Sequence, residues 1–171
     1  MRCKEVNHVT QEQFLTIFDQ YRPMVYALAL SYTRSPQDAE DVCQTAFLRL
    51  LERPPAPGKE KPWLAQVTVN ECRSLLRSPW HKRRAELEEG ALENLAFEQR
   101  SEGALWSALA DLPPDQRALI HLRFYEGFTV AELAEQYRVP AAVISARLYR
   151  AKKQLKKRLE GTEHGPVSQN V

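Results

Sequence analysis

The stretch Thr129-Val-Ala-Glu132-Leu-Ala-Glu-Gln-Tyr137-Arg138-Val-Pro140-Ala-Ala-Val-Ile144-Ser145-Ala-Arg147-Leu148 reads as two helices about a tight turn. Thr129 and Glu132 stand three apart, the spacing of a capping box. In that motif the threonine hydroxyl and the glutamate carboxylate each accept from an amide that the helix leaves unpaired. A short helix through Ala131, Leu133, Ala134 and Tyr137 follows, and Arg138-Val139 interrupts it. Pro140 has no amide hydrogen to lose and a φ already in the helical range, so it opens the second helix. There Ile144, Leu148, Ala151, Leu155 and Leu159 recur at four, three, four and four, which makes one apolar seam. Small Ala134 lets the two helices cross closely, as a helix-turn-helix requires. Arg138 stands where glycine often supplies a left-handed residue, at an expected cost of about 1 kcal/mol.

From Arg147 to Arg158 the chain carries Arg147, Arg150, Lys152, Lys153, Lys156, Lys157 and Arg158 with no acid between them. A second helix with a polar start and a basic body suits the major groove, where arginines reach phosphates and base edges. The formal net charge of the 171 residues is only +2, so it is the distribution that carries information. Asp38, Glu40 and Asp41 form an acidic knot far upstream, and the two ends of the chain are expected to meet different partners.

Upstream of the turn the pattern is also helical, with no run of alternating β-branched residues. Thr10 with Gln13 is a second capping box, opening a helix with Phe14, Leu15, Ile17 and Phe18. Pro23 is expected in the first turn of a separate helix, apolar through Met24, Val25, Leu28 and Leu30. Ser35 caps the next, with Pro36 as its first residue and Asp38 near the positive end of its dipole. Ala39, Val42, Cys43, Ala46, Phe47 and Leu50 then share one face, so Asp41, Gln44 and Thr45 project elsewhere. The prolines of Arg53-Pro-Pro-Ala-Pro-Gly-Lys exclude helix. A further helix runs from near Pro62 through Trp63, Leu64, Val67 and Leu75 to about Arg77, where Ser78-Pro79 breaks it.

The expected fold class is therefore all-α: two small helical domains joined by a charged linker, the C-terminal one a helix-turn-helix. The domains are placed at residues 10–80 and 101–160, with a partly helical linker at 81–100 and a flexible tail at 161–171. Neither domain buries much apolar surface alone, so both are expected to be marginal.

Other classes fit less well. No stretch approaches the ~18 apolar residues of a membrane span, and the N-terminus lacks the apolar core of a signal peptide, so no membrane insertion and a cytoplasmic location are expected. Cys3, Cys43 and Cys72 show no zinc-knuckle or redox spacing, and Cys43 reads as a buried core thiol. His8, His81, His121 and His164 have no metal-ligand spacing, and no phosphate loop or nucleophile motif is present, so neither metal, cofactor nor catalysis is expected. His121, within Leu119-Ile-His-Leu-Arg-Phe, reads as structural.

The order of motifs resembles the extracytoplasmic-function sigma factors of bacterial RNA polymerase. It is carried by Ser-Pro-Gln-Asp-Ala-Glu-Asp-Val-Cys-Gln-Thr-Ala-Phe-Leu-Arg-Leu from Ser35, Pro-Trp-Leu from Pro62, Asn70, and Leu-Pro-Pro from Leu112 before the helix-turn-helix, over residues 11 to 160. The resemblance implies a protein without cofactor or catalysis whose partners are core RNA polymerase, promoter DNA and, in some members, an anti-sigma factor. By the same resemblance Asp41 and Gln44 dock on the polymerase clamp, with Phe47 supporting them from the core. Asn70, Arg73 and Arg77 serve the minus-ten element; Trp63 is read as a core tryptophan in preference to an aromatic surface for a flipped base, and Lys82, Arg83 and Arg84 as phosphate contacts or, equally, as a solvated interdomain run. Ser145, Arg147, Arg150 and Lys153 serve the minus-thirty-five element. Where the family commonly shows Thr-Val-Lys-Ser-Arg-Leu, this chain has Val143-Ile144-Ser145-Ala146-Arg147-Leu148, and Thr68, Val69 and Glu71 also depart from the usual surroundings of Asn70. An alternative is a one-component regulator in which residues 1 to 80 form a ligand or dimer domain. An anti-sigma factor itself is disfavoured because the His-xxx-Cys-xx-Cys zinc signature is absent.

Overall fold

The computed structural model describes residues 8–87 and 104–163. Every regular element among them is helical, and the chain divides into two compact units, Met1–Gly90 and Ala91–Val171. Residues 88–100 of the expected linker, 164–171 of the expected tail, Cys3 and His164 lie outside the described residues.

In the first unit, α1 (Gln11–Thr33), α2 (Pro36–Glu52) and α3 (Glu60–Arg77) pack pairwise, and α4 (Pro79–Leu87) packs on α3. The Thr10 capping box forms as expected, with both reciprocal bonds present. Pro23 does not divide α1, which runs unbroken for 23 residues. Pro23 and Asp19 are both exposed, so the carbonyl that lost its amide partner meets water. The opposite face carries Val25, Leu28 and Ala29, fully buried, and its packing holds the helix across the proline. Ser35 caps α2 through its hydroxyl. The short link from α1 is closed by Thr33, whose hydroxyl donates to the Ala29 and Ser35 carbonyls at 2.9 and 3.2 Å.

The α2 stripe is the core of this unit: Ala39, Val42, Cys43, Ala46, Phe47 and Leu50 are all buried, as are Leu28 of α1 and Leu64, Ala65 and Cys72 of α3, the two helices that pack on α2. Each large aliphatic side chain removed from water in this way contributes about 1.5–3 kcal/mol. Phe18 and Phe14 meet the Phe47 ring edge-on, with centroids 4.8 and 6.2 Å away. α3 starts at Glu60, two residues before Pro62. Pro62 stays within the first turn, where no helical amide has an intrahelical acceptor.

In the second unit, α5 (Ala104–Ala110) and α6 (Pro114–Ile120) meet at Leu112-Pro-Pro, and a wider π-helical turn, His121–Tyr125, continues α6. Buried Arg117 locks the α5–α6 corner by donating through Nη1 to the Ala110 and Leu112 carbonyls at 2.8 and 2.6 Å. Gly127, at φ +76°, turns the chain toward α7 (Val130–Tyr137), which crosses α8 (Ala141–Glu163). The seam of α8 closes this core, with Ile144, Leu148 and Ala151 buried and Leu155 and Leu159 half-buried.

Candidate nucleic-acid and polymerase interface

The turn between α7 and α8 forms where the sequence places it. Thr129 caps α7 in a two-way bond with Glu132, and Arg138 ends it in the left-handed region at φ 53°. The Val139 amide then donates to the Ala134 carbonyl at 3.0 Å, and Pro140 accepts the first amides of α8. Leu133 and Ile144 are fully buried beneath the crossing, so the opposite face of α8 is left to solvent.

That face carries Ser145, Arg150 and Lys153, all exposed, while Arg147 is half-buried on the flank of the seam. Tyr149, 67% exposed beside them, was not singled out from the sequence. Its signal is that it falls off the four-three-four-four seam, so helical geometry turns it outward. Not every cation of the basic run is available. Arg158 is held by Asp111 at 2.5 Å, Lys156 reaches Glu160 at 3.7 Å, and Lys152 lies 5.7 Å from the centre of the Phe124 ring.

In the first unit the acidic knot comes apart. Asp38 is buried and paired with Arg84, and Glu40 takes Arg22 at 3.1 Å on both oxygens. Asp41 alone of the three is exposed and without an ion-pair partner among the described residues. Gln44 lies one turn further on the same stripe, followed by Leu48 and Leu51, 60% and 45% exposed. These two leucines were also missed, although both stand outside the buried periodicity of α2. An exposed acid and amide continuing into apolar surface can bond and cover a basic, amphipathic partner helix.

On α3, Asn70 is exposed and shares the outward stripe with Gln66, Arg73 and Arg77. Arg73 Nε donates to the Tyr32 hydroxyl at 3.2 Å, and Arg77 Nε to the Arg73 carbonyl at 3.1 Å. Glu71, on the flank, is engaged by Arg49 at 2.7 Å. Trp63 is half-buried. Arg84, read from the sequence as a phosphate contact, is instead committed to Asp38, because a buried carboxylate demands a charged partner. Lys82 and Arg83 remain exposed.

No group of three histidine, cysteine or carboxylate side chains able to hold a metal ion occurs among the described residues. His121 sits 3.3 Å from Glu126 and stacks on Tyr125, with ring centroids 5.3 Å apart. Burial pushes its imidazole below the ordinary 6.5, and Glu126 partly opposes that shift. Burial likewise raises the Cys43 thiol to about 11 and the Cys72 thiol to about 12. No described helix is long and apolar enough to cross a membrane.

Two family models match the chain, sigma-70 region 2 over residues 17–82 and sigma-70 region 4 over residues 102–155. The chain belongs to the sigma-70 family. The first unit, with α2 and α3, is thus its region 2, and α5 to α8 are its region 4. Among its relatives is the extracytoplasmic-function RNA polymerase sigma factor SigE of Mycolicibacterium smegmatis, 28% identical over 80% of this chain and 58% of that protein. Another is the probable RNA polymerase sigma factor RfaY of Xanthomonas campestris, 29% identical over 83% of this chain and 39% of that protein. The chain therefore spans less than two thirds of either relative. In fold it is similar to the sigma factor RpoE of Bartonella quintana, solved with the anti-sigma factor NepR, at TM-score 0.66 and 21% identity over 87% of this chain and 98% of that one.

Proposed function

We propose that this protein is an RNA polymerase sigma factor of the extracytoplasmic-function type. It binds core polymerase, directs it to promoters and initiates transcription, with no catalysis of its own. The observation that carries this reading is the succession of region 2 and region 4 in one chain, each with its polar stripe turned to solvent. On α2, Asp41 and Gln44 dock on the polymerase clamp, extended by Leu48 and Leu51. On α3, Asn70 takes a base from the melted minus-ten strand while Arg73 and Arg77 hold its phosphates, since a flipped base needs a polar edge to satisfy it. On α8, Ser145, Arg147, Arg150 and Lys153 read and clamp the minus-thirty-five duplex.

The protein works in the cytoplasm, where polymerase is. An anti-sigma factor is a further proposed partner, by analogy with the Bartonella sigma factor solved with NepR. Gel filtration of the full chain with core polymerase tests the reading. A one-to-one complex supports it, and separate elution with self-association on duplex DNA would instead indicate a one-component regulator.

A further inference from the structure

An unpaired nucleic-acid strand presents flat base faces and a chain of phosphates, so a surface that holds it needs an aromatic face among cations. Trp63 offers little such surface, being half-buried in α3. Trp80, in the first turn of α4, is 59% exposed. Tryptophan is usually well covered in a folded chain, so an indole left this open calls for a reason.

The ring is also held in place. Arg84, one helical turn on, lies with its guanidinium carbon 4.9 Å from the ring centroid. Arg84 is itself fixed by both oxygens of buried Asp38, at 3.1 and 2.5 Å, and His81 approaches the same carboxylate at 3.5 Å. The indole is thus backed by a cation anchored in α2, with most of its surface open to solvent. Along the chain its neighbours are basic: between Glu71 and Glu86 stand Arg73, Arg77, Lys82, Arg83 and Arg84 with no acid among them, and the one carboxylate that Arg84 holds, Asp38, is buried. Arg77, Lys82 and Arg83 are exposed. Charge of one sign around an open aromatic face favours a polyanion with planar groups over a protein partner.

We propose that Trp80 is a stacking platform for an unpaired base of the promoter strand, extending the α3 face of Asn70, Arg73 and Arg77 onto α4. The proposal rests on the sigma-factor reading and adds to it a contact outside the α3 stripe. Arg84 acts as a positioning residue: it carries the ring rather than the phosphate.

The test uses the full chain with core polymerase, on a fork template with the minus-ten strand unpaired and on the same sequence as closed duplex at low temperature. Trp80→Ala is expected to weaken fork binding about tenfold while leaving closed-duplex binding nearly unchanged, and Trp80→Phe to lose roughly threefold or less because a stacking face remains. Asn70→Ala provides the reference loss for the α3 face, and melting curves of each variant should match wild type. Undiminished fork binding by Trp80→Ala overturns the platform. So does an equal loss in Trp80→Phe, or an equal loss on fork and duplex, which would make Trp80 a packing residue or a duplex contact. If the wild-type chain does not bind core polymerase, the sigma-factor reading itself fails and the platform with it.

Discussion

Arg84 grips Asp38 with both terminal nitrogens of its guanidinium, at 3.1 and 2.5 Å, across 46 residues of chain. The carboxylate is 3% exposed at the N-terminal turn of α2, where the helix dipole favours an anion and the Arg84 fork neutralises it. Removing the arginine leaves a buried charge without its counterion. We expect Arg84→Ala to destabilise the first unit by about 3 kcal/mol in urea unfolding, and Asp38→Ala with Arg84→Ala to cost well below the sum of the single changes. Additive losses would mean that the pair is not coupled in solution.

The proposed docking stripe of α2 can be told apart from its buried face. Asp41→Ala with Gln44→Ala should weaken binding to core polymerase while helicity and melting temperature stay near wild type, because both side chains are exposed. Phe47→Ala should instead cost about 3 kcal/mol of stability, since the ring is buried and meets both Phe14 and Phe18 edge-on. Pull-down beside circular dichroism distinguishes the two. Unchanged polymerase binding in the double variant would move the docking face elsewhere.

Much of this was legible in the residues. The capping boxes at Thr10 and Thr129, the Ser35 cap, the α2 stripe and the α8 seam are local patterns, and each is decided within a few residues of chain. Pro23 was misread as a helix start because its effect depends on which face of α1 meets solvent, and only tertiary packing decides that. The acidic knot and the basic run were overread for a similar reason. Asp38 and Arg158 each find an opposite charge more than 40 residues away, and composition does not record such pairs. Leu48, Leu51, Tyr149 and Trp80 were legible only by exclusion, as large side chains off the buried periodicity.

For α8, half-buried Arg147 sits near the start of the helix, while Lys156 lies about four turns from its beginning and pairs with Glu160. A bidentate arginine contact to guanine is worth about 1–3 kcal/mol of discrimination, whereas loss of a phosphate contact weakens all sequences alike. Arg147→Ala should flatten preference at one or two minus-thirty-five positions, and Lys156→Ala should leave preference intact. Promoter-library transcription at two salt concentrations measures both. If Arg147→Ala changes only the salt dependence, the helix is a phosphate clamp.

The buried thiols set a pH limit. Cys43 and Cys72 ionise near the ordinary 9.0 when unfolded but at about 11 and about 12 in the folded chain. The unfolded state therefore binds fewer protons above pH 9, and stability should fall progressively from there, through about pH 11 for Cys43 and about pH 12 for Cys72. At pH 8 both thiols should react with a disulfide reagent far more slowly in native protein than in urea, because the thiolate is the nucleophile. Equal rates in the two states would show that the α2–α3 core opens readily.

The proposed sigma-factor role requires promoter-directed initiation. Core polymerase reconstituted with the full chain, transcribing fragmented genomic DNA with the transcript starts sequenced, measures it directly. The expected result is a limited set of starts, each preceded by shared minus-ten and minus-thirty-five sequences, absent with core enzyme alone and lost with Asp41→Ala and Gln44→Ala together. Starts that are unchanged by adding the chain, or that survive the Asp41→Ala and Gln44→Ala changes, would contradict the sigma-factor role.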